Sequence, residues 1–477
     1  MTTDTARPVR RQRRGLALAV LSAAQLMVIL DGTIVNVALP SIQRDLGFSA
    51  AGLVWVLNAF LVTFGGLLLF AGRLGDLAGA RRIFLAGLVV FTAASVLCGL
   101  AVNPEMLIAA RFLQGVGGAL SSAVVLGMIA RLYPAPGEQA KAFGAFAFTG
   151  SAGASIGVVA GGVLTELISW QWIFLVNVPI GALAALLALR VLEPDRGTGL
   201  AAGADVTGAL LVTAGLMLGV ATIVQVPERG WTSAYTTALG AVSVLLLAGF
   251  VVRQAHASPP LLPLGLFRSR RLSAANLVLF SMVAVGFTFQ FLSGLYLQTV
   301  LGYGPLRTGL AYLAITFAIG LFSLVLSARL AARFGAQRVL LGGLVLFVLG
   351  VAVLARLPVD GRYVADVLPA LLLMGAGFGL AMPQVTTIAM SGAAPQYAGL
   401  ASGLFSTTQQ VGGSVGVAVL ATLASSRTGA LLAAGADQPA ATTAGYRLAF
   451  TVSGVVLAAG ALLAAVALRD PDGTTAR

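Results

Sequence analysis

Asp31 stands in the middle of a long apolar run, LMVILDGTIVNVALP (residues 26–40). A carboxylate at bilayer depth is costly unless it is protonated, paired or wetted. Desolvation favours the neutral acid over the carboxylate, so an acid placed here can load and release a proton. A static hydrogen bond or ion pair between helices is the alternative role. Arg111 opens a second such run, RFLQGVGGAL (111–120). Its guanidinium stays charged at any relevant pH, so once buried it needs a polar or anionic partner. It could stabilise the Asp31 carboxylate or orient its proton exchange; alternatively it lies near a helix end and snorkels to water. Gln114 lies one turn from Arg111, on the same helix face.

Between two apolar runs lies a charged turn, GRLGDLAGARR (72–82). Gly72 and Gly79 allow tight backbone there, and Asp76 sits among Arg73, Arg81 and Arg82. Asp76 could pair with a basic residue or with the N-terminus of a neighbouring helix, latching one conformation; ordinary loop charge is the other reading. Glu166 lies near the outer end of one apolar run, and Asp205 and Asp366 stand at the beginnings of two others, where an acid suits a helix N-terminus; all three read as structural. Gln25, Asn36, Asn58, Gln114, Gln290, Gln384, Gln409 and Gln410 could line a wet cavity, or each could join neighbouring helices by hydrogen bonds. The single cysteine, Cys98, excludes a disulfide within the chain and reads as packing. With a single histidine, His256, the usual His/Cys metal spacing is excluded. No GxxxxGK[ST] sequence occurs, so ATP drive is unsupported. GAGFG (375–379) lies in an apolar run without βαβ context and reads as helix packing.

The elements that must hold these groups follow from composition. Of 477 residues, 58% are hydrophobic and 9% charged, against about 25% charged in a soluble domain. Apolar spans fall near 15–39, 50–71, 83–101, 106–130, 143–168, 172–191, 205–225, 234–252, 274–296, 308–327, 339–357, 366–389, 399–423 and 446–468. Segments of about 20 apolar residues cross a bilayer as helices, so the expected fold is all-α and polytopic with fourteen transmembrane helices. The first span is too long for a signal-peptide core and is expected to be retained. With the N-terminus in the cytoplasm, 21 of the 29 Lys and Arg residues fall on the inside, as the positive-inside rule requires. The net charge of +13 therefore reads as topology, and no nucleic-acid partner is expected.

The chain also repeats itself. GRLGDLAGARRIFLAG (72–87) returns as ARLAARFGAQRVLLGG (328–343). Gly115 and Gly117 match Gly375 and Gly377, and Phe146, Gly153 and Gly157 match Phe405, Gly412 and Gly416. Two homologous six-helix bundles in the same orientation follow. The expected organisation is a tail at 1–14, a bundle at 15–196, an inserted helix pair at 205–252, a second bundle at 274–468 and a tail at 469–477. The second bundle has no acid corresponding to Asp31, and Ala332 stands opposite Asp76, so proton chemistry is expected in the first bundle alone.

GRLGDLAGARR resembles the loop signature of the major facilitator superfamily, and RFLQGVGGA its helix-4 signature. LDGTIVNVALP and WQWIFLVNVPIG (170–181) are more specific and resemble the fourteen-helix branch of drug/proton antiporters, as does PLLPLGLFRSRRLSAANL (260–277). The resemblance covers nearly the whole chain. It implies that Asp31 is the helix-1 carboxylate of proton and substrate coupling. It implies that Arg111 is the helix-4 arginine tied to proton transfer, and that Asp76 is the loop acid of conformational switching. The glycine-rich helix-5 antiporter signature corresponds to GSAGASIGVVAGG (150–162): Gly153, Gly157, Gly161 and Gly162 fit, while Val158 stands where a proline is expected.

The expected protein is a secondary active transporter and not an enzyme. It would export a lipophilic small molecule by alternating access in exchange for protons, with no cofactor beyond the proton gradient. Its expected place is a bacterial inner membrane, with both termini cytoplasmic and membrane lipid around a monomer. A lipid or glycolipid flippase on the same scaffold and a non-transporting sensor are the alternatives. A sensor is expected to need an output domain, for which the expected tails at 1–14 and 469–477 leave no room. One lysine against 28 arginines suggests a high-G+C bacterium, where export of a self-made antibiotic is plausible.

Overall fold

A computed structural model describes residues 6–133, 136–195, 197, 199, 205–258, 260–391 and 398–468. The chain is helical, with no β-strand among the described residues. Among the described residues, fourteen helices follow one another. They are α1 (Ala6–Leu46), α2 (Ala50–Ala78), α3 (Ala80–Gly99), α4 (Pro104–Leu132) and α5 (Pro136–Leu167). Next come α6 (Trp172–Val191), α7 (Val206–Arg229), α8 (Ala234–His256), α9 (Arg270–Val300) and α10 (Pro305–Phe334). The series ends with α11 (Ala336–Leu354), α12 (Tyr363–Met390), α13 (Ala398–Ala433) and α14 (Gln438–Ala467). Among the described residues, thirteen helices are long and apolar enough to span a membrane, and α5 adds the shorter apolar stretch Ile156–Leu167. Each of the fourteen expected spans falls on one of these helices. The chain is a multi-pass membrane protein.

Local chemistry sets the helix starts. Asn103 accepts from the Met106 N–H and Pro104 follows at the first helical position of α4, where proline's missing N–H is not needed. Ser49, Ser269 and Asp437 cap α2, α9 and α14 in the same way. Between α2 and α3 the backbone turns at Gly79, at φ +100° and ψ 129°, and between α10 and α11 at Gly335, at φ +86° and ψ 149°. These angles lie in a region that side chains avoid. Gly79 and Gly335 are matched positions of the sequence repeat, and they make the same turn.

The chain divides into two compact units. The first comprises Met1–Gly219, Ala238–Leu261 and Gly304–Leu310; the second comprises Val220–Thr237, Leu262–Tyr303 and Ala311–Arg477. In the first unit α3 crosses α4 at Gly87 and Gly117, where an added Cβ would meet the facing backbone at Ser121 and Phe91. In the second, α11 crosses α12 at Gly343 and Gly377, with the Gly377 carbonyl 2.7 Å from a Cβ on Gly343. Small residues permit such close approach where no hydrophobic drive exists between helices. Within the first unit, Asp205 ties the start of α7 to the end of α8: it accepts from Gly208 N at 2.9 Å, Arg253 Nε at 3.0 Å and Gln254 Nε2 at 2.7 Å. Three helices of the second unit contain π-helical stretches, at Tyr296–Val300, Leu321–Ser327 and Tyr363–Val367.

Candidate functional site

The first unit brings Asp31 and Arg111 together in its interior. Both side chains are 0% exposed, and Arg111 Nη1 donates to Asp31 Oδ2 at 2.5 Å. Burial rules out the snorkelling alternative for Arg111. Gln114 joins them as its spacing implied: its Nε2 donates to Asp31 Oδ1 at 2.7 Å and to Ser95 Oγ at 2.9 Å. Its Oε1 accepts from Arg111 Nη1 at 2.7 Å and from Cys98 Sγ at 3.5 Å. Arg111 Nε donates to the Val56 carbonyl at 2.8 Å, and the guanidinium lies 4.6 Å from the Phe60 ring centroid and 5.7 Å from that of Phe174. From α6, Asn177 Nδ2 reaches Asp31 Oδ1 at 3.4 Å. Five helices, α1, α2, α3, α4 and α6, thus contribute to one polar cluster around Asp31.

The helix-5 glycines fix the helix that carries Asp31. A Cβ on Gly153 would meet Leu26, one on Gly157 would lie 3.1 Å from the Leu30 carbonyl, and one on Gly161 would lie 2.7 Å from the Ile34 carbonyl. These three positions straddle Asp31 along α1. Gly162 faces the start of α10 instead, where its Cβ would lie 2.7 Å from the Pro305 carbonyl. Close by, Glu166 Oε2 accepts from Leu306 N at 2.8 Å. Val158 is buried in an unbroken α5, its carbonyl 2.7 Å from a Cβ on Gly309.

The charged turn is held by an acid that sequence reasoning passed over. Asp195, after α6, accepts from Ala80 N at 2.7 Å and Arg81 N at 3.1 Å, and Arg131 Nη1 lies 3.2 Å away. Partial burial opposes its charge, but the backbone donors of Arg81 and Ala80 and the Arg131 guanidinium outweigh that and hold the carboxyl below its ordinary range. Arg81 Nη2 also donates to the Leu189 carbonyl at 2.6 Å. Asp76 and Arg82 are exposed and Gly72 half-buried.

The amides considered for a cavity do not gather at Asp31, except Gln114. Asn36 is buried and donates to the Gly32 carbonyl at 3.0 Å. Asn58 is 0% exposed, and neither of its side-chain polar atoms has a partner among the described residues. In the second unit Gln384 donates to Ser327 Oγ at 2.8 Å. Gln25, Gln290, Gln409 and Gln410 are half-buried. Of the groups that sequence reasoning missed, Asn177 carried a signal, an amide inside an apolar run; Ser95 and Asp195 carried none that set them apart.

Comparison with known proteins bears on this arrangement. The family model of the Major Facilitator Superfamily matches residues 21–417. The chain is 40% identical to the puromycin resistance protein pur8 of Streptomyces alboniger over 455 residues, 94% of this chain and 90% of that protein. It is 35% identical to the cephamycin export protein CmcT of Amycolatopsis lactamdurans, over 97% of this chain and 94% of that one. Among solved structures, the POT family transporter PepTSo matches with a TM-score of 0.68 at 15% identity, covering 96% of this chain and 99% of that one; at that identity the likeness concerns fold alone.

Proposed function

Because the chain belongs to the Major Facilitator Superfamily, a family of membrane transporters, we propose that it exports a lipophilic antibiotic-like molecule in exchange for protons. The observation that carries this reading is the fully buried Asp31–Arg111 pair. Its acid can change charge while its cation cannot, so proton binding must rearrange the cluster. A cluster that rearranges on protonation, built on the helix that α5 grips, supports coupling of protonation to helix movement. The names of the relatives, puromycin resistance and cephamycin export, support export of an antibiotic. A single carboxylate in this cluster suits a neutral or singly charged substrate better than a dication.

The driving force is sufficient. A charge moving down 100 mV releases about 2.3 kcal/mol, and a tenfold gradient corresponds to about 1.4 kcal/mol. One proton then sustains a gradient of roughly fiftyfold in a neutral substrate before any pH difference is counted. We place the protein in a bacterial inner membrane with both termini cytoplasmic, from the Lys/Arg distribution.

The test uses inverted membrane vesicles energised to be acidic inside. A panel of lipophilic antibiotics and dyes is added, and proton release is compared between the parent protein and Asp31→Asn. Release that vanishes in the inserted variant establishes antiport through Asp31. Absence of release with every compound, in well-expressed protein, refutes a broad drug antiporter and favours a lipid flippase.

A further inference from the structure

We propose that Asn177 is a positioning residue for Asp31, its carboxamide oxygen accepting the O–H of the protonated acid. This rests on the reading of Asp31 as the coupling site. In the structure every nitrogen facing Asp31 donates to it: Arg111 Nη1, Gln114 Nε2 and, at 3.4 Å, Asn177 Nδ2. When a proton from water joins a carboxylate oxygen, one O–H bond forms, and Asp31 turns from acceptor into donor. It then needs an acceptor within the same buried cluster, because an unsatisfied buried donor is costly.

The candidates can be sorted by their existing bonds. Arg111 carries only donors. Gln114 Oε1 already accepts from Arg111 Nη1 and Cys98 Sγ. Ser95 Oγ accepts from Gln114 and donates to the Phe91 carbonyl at 2.8 Å. Asn177 is 0% exposed, and its Oδ1 has no partner among the described residues. Its present donation, at 3.4 Å, is longer than the usual 2.7–3.2 Å or so for N–H···O, so little is lost if it breaks. A half-turn about the last side-chain bond exchanges the amide nitrogen for the oxygen, and one residue then serves both charge states of Asp31. Arg111, released from the carboxylate, keeps the Val56 carbonyl, Gln114 Oε1 and the Phe60 and Phe174 rings. Among the described residues the other titratable groups at Asp31 are Arg111 from α4 and Cys98 from α3. The cluster's contributions from α2 and α6, and the α5 glycines packed on α1, carry none.

The experiment is pH-induced infrared difference spectroscopy on the full-length protein in lipid bilayers. The acid C=O band of Asp31 is assigned by its loss in Asp31→Asn. Asn177→Leu keeps the volume and removes the acceptor; Asn177→Ala removes it without bulk, in case leucine does not fold; Asn177→Gln keeps an amide. The expected result for Asn177→Leu and Asn177→Ala is about a tenfold loss of proton affinity at Asp31. This moves the band's midpoint about one pH unit toward acid, with a rise in C=O frequency as the O–H loses its acceptor. Asn177→Gln is expected to return the midpoint toward the parent value. An unmoved midpoint and band, or a move toward alkaline pH, overturns the role of Asn177 while leaving Asp31 as the coupling site. No Asp31-dependent band at any pH in the parent protein overturns both.

Discussion

Removing either partner of the Asp31–Arg111 pair should destabilise the protein more than removing both. With both side chains 0% exposed and in direct contact, neither charge has solvent to fall back on. Breaking a buried pair by deleting one partner costs about 3–5 kcal/mol, whereas replacing both charges by neutral groups is often close to neutral. Asp31→Asn and Arg111→Gln are the single changes, and their combination closes the cycle. The expected coupling is about 3 kcal/mol or more. The two singles should also differ in their pH response. In Arg111→Gln, Asp31 can relieve its isolation by taking a proton, so the cost shrinks as pH falls. In Asp31→Asn the guanidinium has no such escape, and the cost stays flat. Equilibrium unfolding in mixed micelles across a pH series measures both effects. A double variant no more stable than its worse single, or a pH response shared by both singles, would refute the reasoning.

Three further outcomes follow from the packing. Gly161→Ala places a Cβ 2.7 Å from the Ile34 carbonyl, whereas Gly32→Ala meets nothing within 4 Å; transport should fall at least tenfold in the first and persist in the second, measured in the vesicle assay at matched expression. Gly79→Ala and Gly335→Ala each put a side chain into glycine-only backbone, a cost of about 1–3 kcal/mol; Gly79→Ala should be the worse in thermal unfolding, because its Cβ also lies 2.8 Å from the Asp195 carbonyl while Gly335 faces open space. Asp195→Ala should cost about 1 kcal/mol of cap and speed hydrogen exchange at the Ala80 and Arg81 amides about fivefold. Because the Asp195 carboxyl is held below its ordinary range, its contribution is present above that range and lost as pH falls through the lowered value.

How much of this was legible in the chain depends on what kind of signal a residue leaves. Helix positions follow from apolar runs broken by Gly, Pro and charge, and all fourteen expected spans fall on helices. Asp31 and Arg111 stand out because a charge in an apolar run has few explanations. Their contact joins residues 80 positions apart in sequence, and no local pattern encodes it. Cys98 read as packing; it does pack, but against Gln114 Oε1 at 3.5 Å, inside the polar cluster. Asp195 looked like any loop acid, because its meaning lies in the backbone N–H groups of Ala80 and Arg81, which carry no side-chain signature. The π-helical stretches at Tyr296–Val300 and Leu321–Ser327 likewise lie in sequences that suit an ordinary helix.

The two units show how one repeated architecture accommodates a buried ion pair on one side. The glycine contacts give the correspondence: Gly153 and Gly157 meet α1 at Leu26 and Leu30, and Gly412 and Gly416 meet α9 at Phe280 and Ala284. The residue after Leu30 is Asp31, and the residue after Ala284 is Val285. Four residues before Gly115 stands Arg111, and four before Gly375 stands Leu371. Gly115 and Gly375 make the same approach: a Cβ on each would lie 2.7 Å from a carbonyl of the second helix of its repeat, at Phe60 and Ile315. Val285 and Leu371 are buried, at 1% and 0% exposure. The second unit therefore fills the place of the ion pair with two aliphatic side chains. Of its nearby buried hydroxyls, Thr288 donates to the Ala284 carbonyl, while Ser293 meets both the Phe289 carbonyl and, at 2.6 Å, the Tyr312 hydroxyl of α10. Val285 and Leu371 have no proton to exchange and no charge to strand. The same helix geometry thus holds a buried ion pair in one unit and an aliphatic contact in the other, and the difference resides in two side chains rather than in the fold.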